Sequence, residues 1–271
     1  MTDQNPSPDP TTERADDRHR PKRTGRRRLL LPAIVLVALL AVTAFLFADE
    51  TQEDPGTPAT STSQDDADDG TGPETDASQD EIVMALQALA RREAGDPLAL
   101  GDVDAPVVMI AYSEFQCPFC GRFARETEPV LIEDYVEDGR LRIEWRDFPY
   151  LGEESATAAF GARAASQQDA FWEFAQAMFG NQQPPNSGRI TAEFLADVAE
   201  GVGLDRERFL DDLESDEVAA GVARDFQEGQ SIGITGTPAF LINGRPVMGA
   251  QPTEVFVQVV EEALADAESG R

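Results

Sequence analysis

Apolar and polar positions fall into three successive regimes along the chain. Leu29 to Phe47 is an unbroken apolar run without a single charge. Ala48 to Asp80 then holds almost nothing apolar, being built from Asp, Glu, Thr, Ser, Gly and Pro. From Glu81 onward the pattern becomes periodic. Ile82, Val83, Leu86, Leu89 and Ala90 recur at helical spacing and predict an amphipathic leading helix. Leu98 to Gly101 follows as a short strand. Val107 to Phe115 is continuously apolar, the pattern of a strand buried on both faces.

Cys117-Pro118-Phe119-Cys120 stands directly after that strand. A helical pattern continues from it through Phe123, Ala124 and Thr127, is interrupted by Pro129, and resumes at Leu131 and Tyr135. Leu141 to Trp145 alternates and predicts a second core strand ending at Asp147-Phe148-Pro149. Between Ser155 and Gly229 only helices are predicted: an alanine-rich one to Met178, another from Thr191, and two short ones around Phe209 and Val222. Pro238 to Ile242 is a strand again, and Asn243-Gly244 marks a type I′ hairpin into Pro246-Val247-Met248. Thr253 to Ala265 closes the chain as a helix with Val255, Phe256, Val259, Val260 and Leu264 on one side. This order is that of an α/β domain, residues 81–271, carrying a helical insertion at about residues 151–232.

Charge decides what precedes the domain. The formal charge is −29, yet residues 1–28 are basic, with Arg14, Arg18, Arg20, Lys22, Arg23, Arg26, Arg27 and Arg28. A basic arm alone is also compatible with nucleic-acid binding; its position directly against residues 29–47 points to membrane topology instead. That stretch spans about 28 Å as a helix, near the roughly 30 Å hydrocarbon core. Arginines before it and Asp49, Glu50, Glu53 and Asp54 after it predict a cytoplasmic N-terminus and an extracytoplasmic domain. Val42-Thr43-Ala44 also fits a signal-peptidase site, but the apolar run continues past it, so a retained single-pass anchor is the expectation. Residues 48–80 read as an acidic, disordered linker.

The chain has two cysteines and one histidine, His19, which lies in the basic tail. Serine and cysteine hydrolase triads are therefore excluded for the exported domain. A structural zinc site, needing four ligands, is excluded as well, and no metal is expected. Cys117 sits where a strand meets a helix N-terminus. Backbone N–H groups and the helix dipole favour its thiolate there, and Pro118 suits the first helical position. Cys117 is accordingly expected to be an exposed nucleophile, Cys120 the resolving thiol, and the Cys117–Cys120 disulfide the redox centre in place of a cofactor. A purely structural bridge across so small a loop constrains little, though it stays open. So does copper passage through the two thiols, for which Met84, Met109, Met178 and Met248 offer little help, since all lie in apolar contexts expected to be core.

The segments Tyr112-Ser113-Glu114-Phe115-Gln116-Cys117-Pro118-Phe119-Cys120, Trp145-Arg146-Asp147-Phe148-Pro149 and Gly236-Thr237-Pro238-Ala239-Phe240-Leu241-Ile242-Asn243-Gly244 resemble the DsbA-like thiol:disulfide oxidoreductases. The resemblance, over about Leu98 to Leu264, implies a thioredoxin-like fold with a helical insertion. It further implies a cis Thr237-Pro238 peptide against the disulfide, with the Thr237 backbone pairing with substrate by strand addition. The implied activity is disulfide formation in exported cysteine-containing proteins, with reoxidation by a quinone-linked membrane partner. Reductase or isomerase action fed by a membrane electron donor, or a non-catalytic binding or copper-handling module, are the alternatives. Strongly oxidising members carry His where this chain has Phe119, so a potential between about −120 and −270 mV is expected. Glu114 is a candidate proton relay, with a solvated strand-end carboxylate as the plainer reading. The isomerases' extra dimerisation domain is absent from the pattern, and a monomer is expected.

Overall fold

The structure, a computed structural model, describes residues 74–270. The predicted basic tail, the anchor at 29–47 and residues 48–73 of the predicted linker lie outside them. No helix among the described residues is long and apolar enough to cross a membrane. The leading helix α1, Glu74–Gln87, begins inside the segment read from sequence as linker.

Five strands form one sheet: β1 (Ala99–Leu100), β2 (Val107–Ser113), β3 (Leu141–Asp147), β4 (Ala239–Ile242) and β5 (Arg245–Met248), in the order β1-β3-β2-β4-β5. The β2–β3 pair is parallel and the others are antiparallel. Between β2 and β3 run α2 (Pro118–Glu126), α3 (Glu128–Leu131) and a π-helical turn at Ile132–Val136. The helix interruption expected at Pro129 falls two residues earlier, at Thr127, with Pro129 in the first turn of α3 and the π-helical turn following it. The insertion holds α4 (Glu153–Ser166), α5 (Phe171–Gly180), α6 (Ala192–Gly201), α7 (Arg206–Leu213) and α8 (Asp216–Ser231), and α9 (Thr253–Ser269) ends the chain. The single alanine-rich helix expected up to Met178 is two helices, because Asp169 adopts a left-handed φ of 58° between them. A side chain that can hydrogen-bond locally tolerates that conformation and ends α4.

The continuous apolar run of β2 is explained by its two covers. Val107, Met109 and Ala111 meet Phe123, Leu131, Phe256 and Val260 from α2, α3 and α9. Val108, Ile110 and Tyr112 face the opposite way, onto Leu86, Leu89, Phe148 and Phe226. A third cluster joins Phe115 and Trp145 at the strand ends to Phe171, Phe174 and Phe179 of α5, seating the insertion against the sheet. Asn243 and Gly244 both have positive φ, 45° and 80°, as a type I′ turn requires. Gly244 has a second reason to be glycine, since a Cβ there would stand 2.2 Å from the Val83 carbonyl oxygen of α1.

The second core strand expected at Leu141–Trp145 is β3, and every one of its residues is buried, the polar ones included. Its polar members form a buried ionic layer under α8. Glu144 accepts from Arg142 and Arg146 at 3.0 Å each and from the backbone N–H groups of Arg91 and Arg92. Arg146 also donates to Glu228, and Arg163 to Asp147 at 2.6 Å. Asp225 of α8 receives hydrogen bonds from Arg91 and Arg163.

Candidate functional site

The apolar period of β2 carries the chain to the sheet's end, where Pro118 opens α2 with Cys117 as its N-cap residue. A proline at the first helical position has no N–H to leave unsatisfied. No side chain caps the helix, so the Cys117 sulfur takes the place beside the free N–H groups. Opposite it, Thr237-Pro238 is a cis peptide, and the Cys117 thiol donates to the Thr237 carbonyl at 3.3 Å. Cys120 lies one turn on, and both cysteines are free thiols.

Cys117 is not at the surface, contrary to the sequence expectation. It is 2% exposed and Cys120 1%. Its sulfur turns inward to the Thr237 carbonyl and packs with Phe115, Trp145 and Phe179, while Phe119, 57% exposed, stands out between the two cysteines. Arg122 lies over the Phe119 ring at 5.4 Å and donates to the Ala250 carbonyl.

The two thiols are displaced in opposite directions. A hydrogen bond from Cys120 chiefly, with Thr237 and the backbone N–H groups of Cys120 and Phe119 adding to it against the cost of burial, lowers the Cys117 pKa to about 6. Burial, reinforced by Cys117, raises Cys120 well above the ordinary thiol range.

Glu114 is likewise buried, so the solvated reading of this carboxylate does not hold. Burial chiefly, opposed by the Ser155 hydrogen bond and reinforced by the Cys117 charge, raises its pKa to about 7. Ser155 donates to Glu114 and accepts from the Gln116 amide at 2.7 Å. Gln116 in turn accepts from the Asn186 backbone N–H at 2.6 Å.

Motif reading found Cys117, Pro118, Phe119, Cys120, Thr237, Pro238 and Glu114, and the fold brings them together. It missed Tyr150, Ser155 and Gln182. Tyr150, at the end of the Trp145–Pro149 motif, extends its ring beside the cis-proline segment and remains 40% exposed. Gln182 donates to the backbone carbonyls of both Phe115 and Cys117, 2.9 Å each. Neither Ser155 nor Gln182 belongs to a recognisable spacing. Two methionines expected in the core, Met84 and Met248, are exposed, and Met248 pairs with Ala239 beside Pro238, whose carbonyl accepts from Gly249 N–H at 2.8 Å. Among the described residues no group of three or more His, Cys, Asp or Glu side chains is arranged to hold a metal ion.

A thioredoxin family model matches residues 93–262. Over 150 residues the chain is 30% identical to the probable disulfide bond formation protein D of Bacillus anthracis, covering 54% of this chain and 69% of that one. Among solved structures it is similar to BdbD from Bacillus subtilis in its oxidised form, with a TM-score of 0.59 at 23% identity over 62% of this chain and 92% of the other. It is also similar to α-DsbA1 of Wolbachia pipientis, with a TM-score of 0.61 at 23% identity over 68% and 98% of the two chains. At that identity the two structures speak to the fold.

Proposed function

Since the chain belongs to the thioredoxin family, we propose that it is a DsbA-like thiol:disulfide oxidoreductase working through Cys117 and Cys120. The observation that carries this reading is the placement of Cys117 at a helix N-cap, its sulfur 3.3 Å from the carbonyl of a cis Thr237-Pro238 segment, with a second thiol one turn away. Asymmetry between the thiols assigns the roles. In the oxidising direction a substrate thiolate attacks the Cys117 sulfur, the Cys117–Cys120 bond breaks, and Cys120 leaves and takes up a proton, as its raised pKa favours. A second substrate thiolate then attacks the substrate sulfur of the mixed disulfide and expels Cys117 as a stabilised thiolate. The substrate is oxidised by two electrons and the enzyme pair is reduced. With Cys117 so little exposed, attack follows docking, for which the Thr237 backbone and the exposed rim of Phe119, Tyr150 and Met248 are the surface.

The reaction runs outside the cytoplasmic membrane, on exported cysteine-containing proteins, with residues 29–47 as a single-pass anchor. The arginines before that stretch and the acidic residues after it support the orientation. A quinone-linked membrane protein restores the disulfide, the chain works as a monomer, and no cofactor other than its own cysteine pair takes part.

Equilibrating the purified chain in graded glutathione buffers tests direction. A potential toward −120 mV supports disulfide formation, one near about −270 mV a reductase, and a pair that stays oxidised below about −300 mV would be structural. In the reduced chain, thiolate absorbance is expected to appear with a midpoint near pH 6. A midpoint in the ordinary thiol range, about 8.5, would remove the basis for Cys117 as nucleophile.

Glu114 serves this pair as proton acceptor and donor. Protonated below about pH 7 and ionised above it, it changes state in the range where the thiols do. Glu114→Gln is expected to slow exchange with a small dithiol by roughly 10²-fold at most and to erase an inflection near pH 7. An unchanged pH–rate profile would reduce Glu114 to an anchor for Ser155.

A further inference from the structure

The loop after α5 reaches under the catalytic junction at three consecutive residues. Gln182 Nε2 donates to the Phe115 carbonyl and to the Cys117 carbonyl, both at 2.9 Å, and the Asn186 N–H donates to Gln116 Oε1 at 2.6 Å. Two acceptors facing one amide end fix which end is nitrogen. The Cys117 carbonyl already receives the first intrahelical bond of α2, from Gly121 N–H at 3.1 Å, so Gln182 occupies its second lone pair. One side chain from the helical insertion thereby ties the last residue of the strand run to the first carbonyl of the helix.

Space has been made for it. A Cβ on Gly121 would lie 2.3 Å from Gln182 Oε1 and 2.7 Å from the Arg125 guanidinium, which itself donates to the Phe179 carbonyl at 2.8 Å. Phe179 in turn packs on Phe115 with ring centroids 5.0 Å apart. The amide is held against α2 by glycine's missing side chain above and by an anchored loop below.

We propose that Gln182 is a positioning residue for the cysteine pair: by bridging the Phe115 and Cys117 carbonyls it fixes the strand-to-helix junction so that the N–H groups of Phe119 and Cys120 stay aimed at the Cys117 sulfur. The insertion thus sets the reactivity of the nucleophile through its backbone, at a distance from any substrate contact. This rests on Cys117 being the reactive thiol. Freed of the bridge, the N-cap peptide rotates, the N–H groups lose alignment with the sulfur, and the thiolate loses hydrogen bonds whose strength falls steeply with angle.

The test uses two variants of the full chain that strike the bridge from opposite sides. Gln182→Met keeps length and neutrality but has no donor, and Gly121→Ala pushes the amide aside while leaving Gln182 in place. Both are expected to lower the Cys117 acidity constant, read from thiolate absorbance against pH, by about 3- to 10-fold, the weight of one hydrogen bond. The equilibrium with glutathione should move toward the disulfide by a comparable factor. A merely structural role would lower the melting temperature and leave both readouts in place. That outcome, or two folded variants titrating like the wild type, overturns the proposal, and Gly121→Ala decides alone if Gln182→Met fails to fold. Should the wild-type Cys117 itself titrate in the ordinary thiol range, the nucleophile assignment falls and the bridge's role with it.

Discussion

Cys117→Ser is expected to bring thiol–disulfide exchange to background, a loss of at least about 10³-fold, whereas Cys120→Ser should trap a covalent intermediate. The asymmetry follows from the environments of the two sulfurs. Serine cannot enter a disulfide, and the thiol left in Cys117→Ser is Cys120, buried and held well above the ordinary thiol range, so little of it is ionised at neutral pH. In Cys120→Ser the thiol that remains is the acidic one at the helix N-cap, and a mixed disulfide formed on it has no neighbouring thiol to release it. Non-reducing electrophoresis after incubation with a disulfide peptide, whose S–S bond the remaining thiolate attacks with release of a peptide thiol, distinguishes the two. A trapped adduct on Cys117→Ser, with none on Cys120→Ser, would reverse the roles. If Cys117→Ser instead lost no measurable function while still binding a partner, the cysteine pair would be incidental to a recognition module.

The stabilised thiolate also bears on direction. A folded-state pKa near 6 for Cys117 lies below the value of an unfolded thiol. Its contribution to the stability of the reduced chain is therefore fully present above the unfolded thiol's pKa, about 8.5, and is lost as pH falls through about 6. Favouring the dithiol over the disulfide makes the pair a better oxidant. The Phe119 side chain contributes no hydrogen bond to that thiolate, only its backbone N–H does. The main chain and Cys120 do, and this is why a chain without histidine between its cysteines still has an acidic one.

Sequence pattern made the site's main chain legible and its supports invisible. Cys117, Pro118 and the β2 run announce a strand–helix junction because each is constrained by local geometry: two covered faces, a missing N–H, a cap. Asn243-Gly244 announces its turn for the same reason. Ser155 and Gln182 act through hydrogen bonds to residues 39 to 67 positions away, and Tyr150 through a segment further still along the chain; a polar residue on an insertion carries no period that marks it. Glu114 was visible as a residue but its environment was not. Burial converts a plain strand-end carboxylate into a group titrating near neutrality. The same limit explains β3. Arg142, Glu144 and Arg146 alternate with Leu141, Ile143 and Trp145, and alternation implies a solvated face unless opposite charges elsewhere in the chain arrive to cover it.

Those covering charges are the source of the largest stability effect. Asp225 is fully buried on α8, accepts from Arg91 and Arg163, and also accepts from the Asp147 backbone N–H at 3.2 Å. It joins the insertion, the segment before β1 and the end of β3 at one carboxylate. Asp225→Ala would leave two guanidinium groups inside the protein without this counter-charge, and one backbone donor without its acceptor. Breaking such a buried pair from one side costs about 3–5 kcal/mol, which for a domain of this size is a fall in melting temperature of roughly 10 °C. Asp225→Asn keeps an acceptor for Asp147 and should cost less. Because Asp225 touches neither cysteine, the folded fraction of either variant is expected to keep the wild-type Cys117 titration. Denaturant melts read the first effect and thiolate absorbance the second. An Asp225→Ala chain within about 1 kcal/mol of wild type would mean that water reaches the arginines and that the ionic layer is wetter than its burial implies. A large loss of stability with an unmoved Cys117 separates what holds the insertion on the sheet from what tunes the chemistry at its edge.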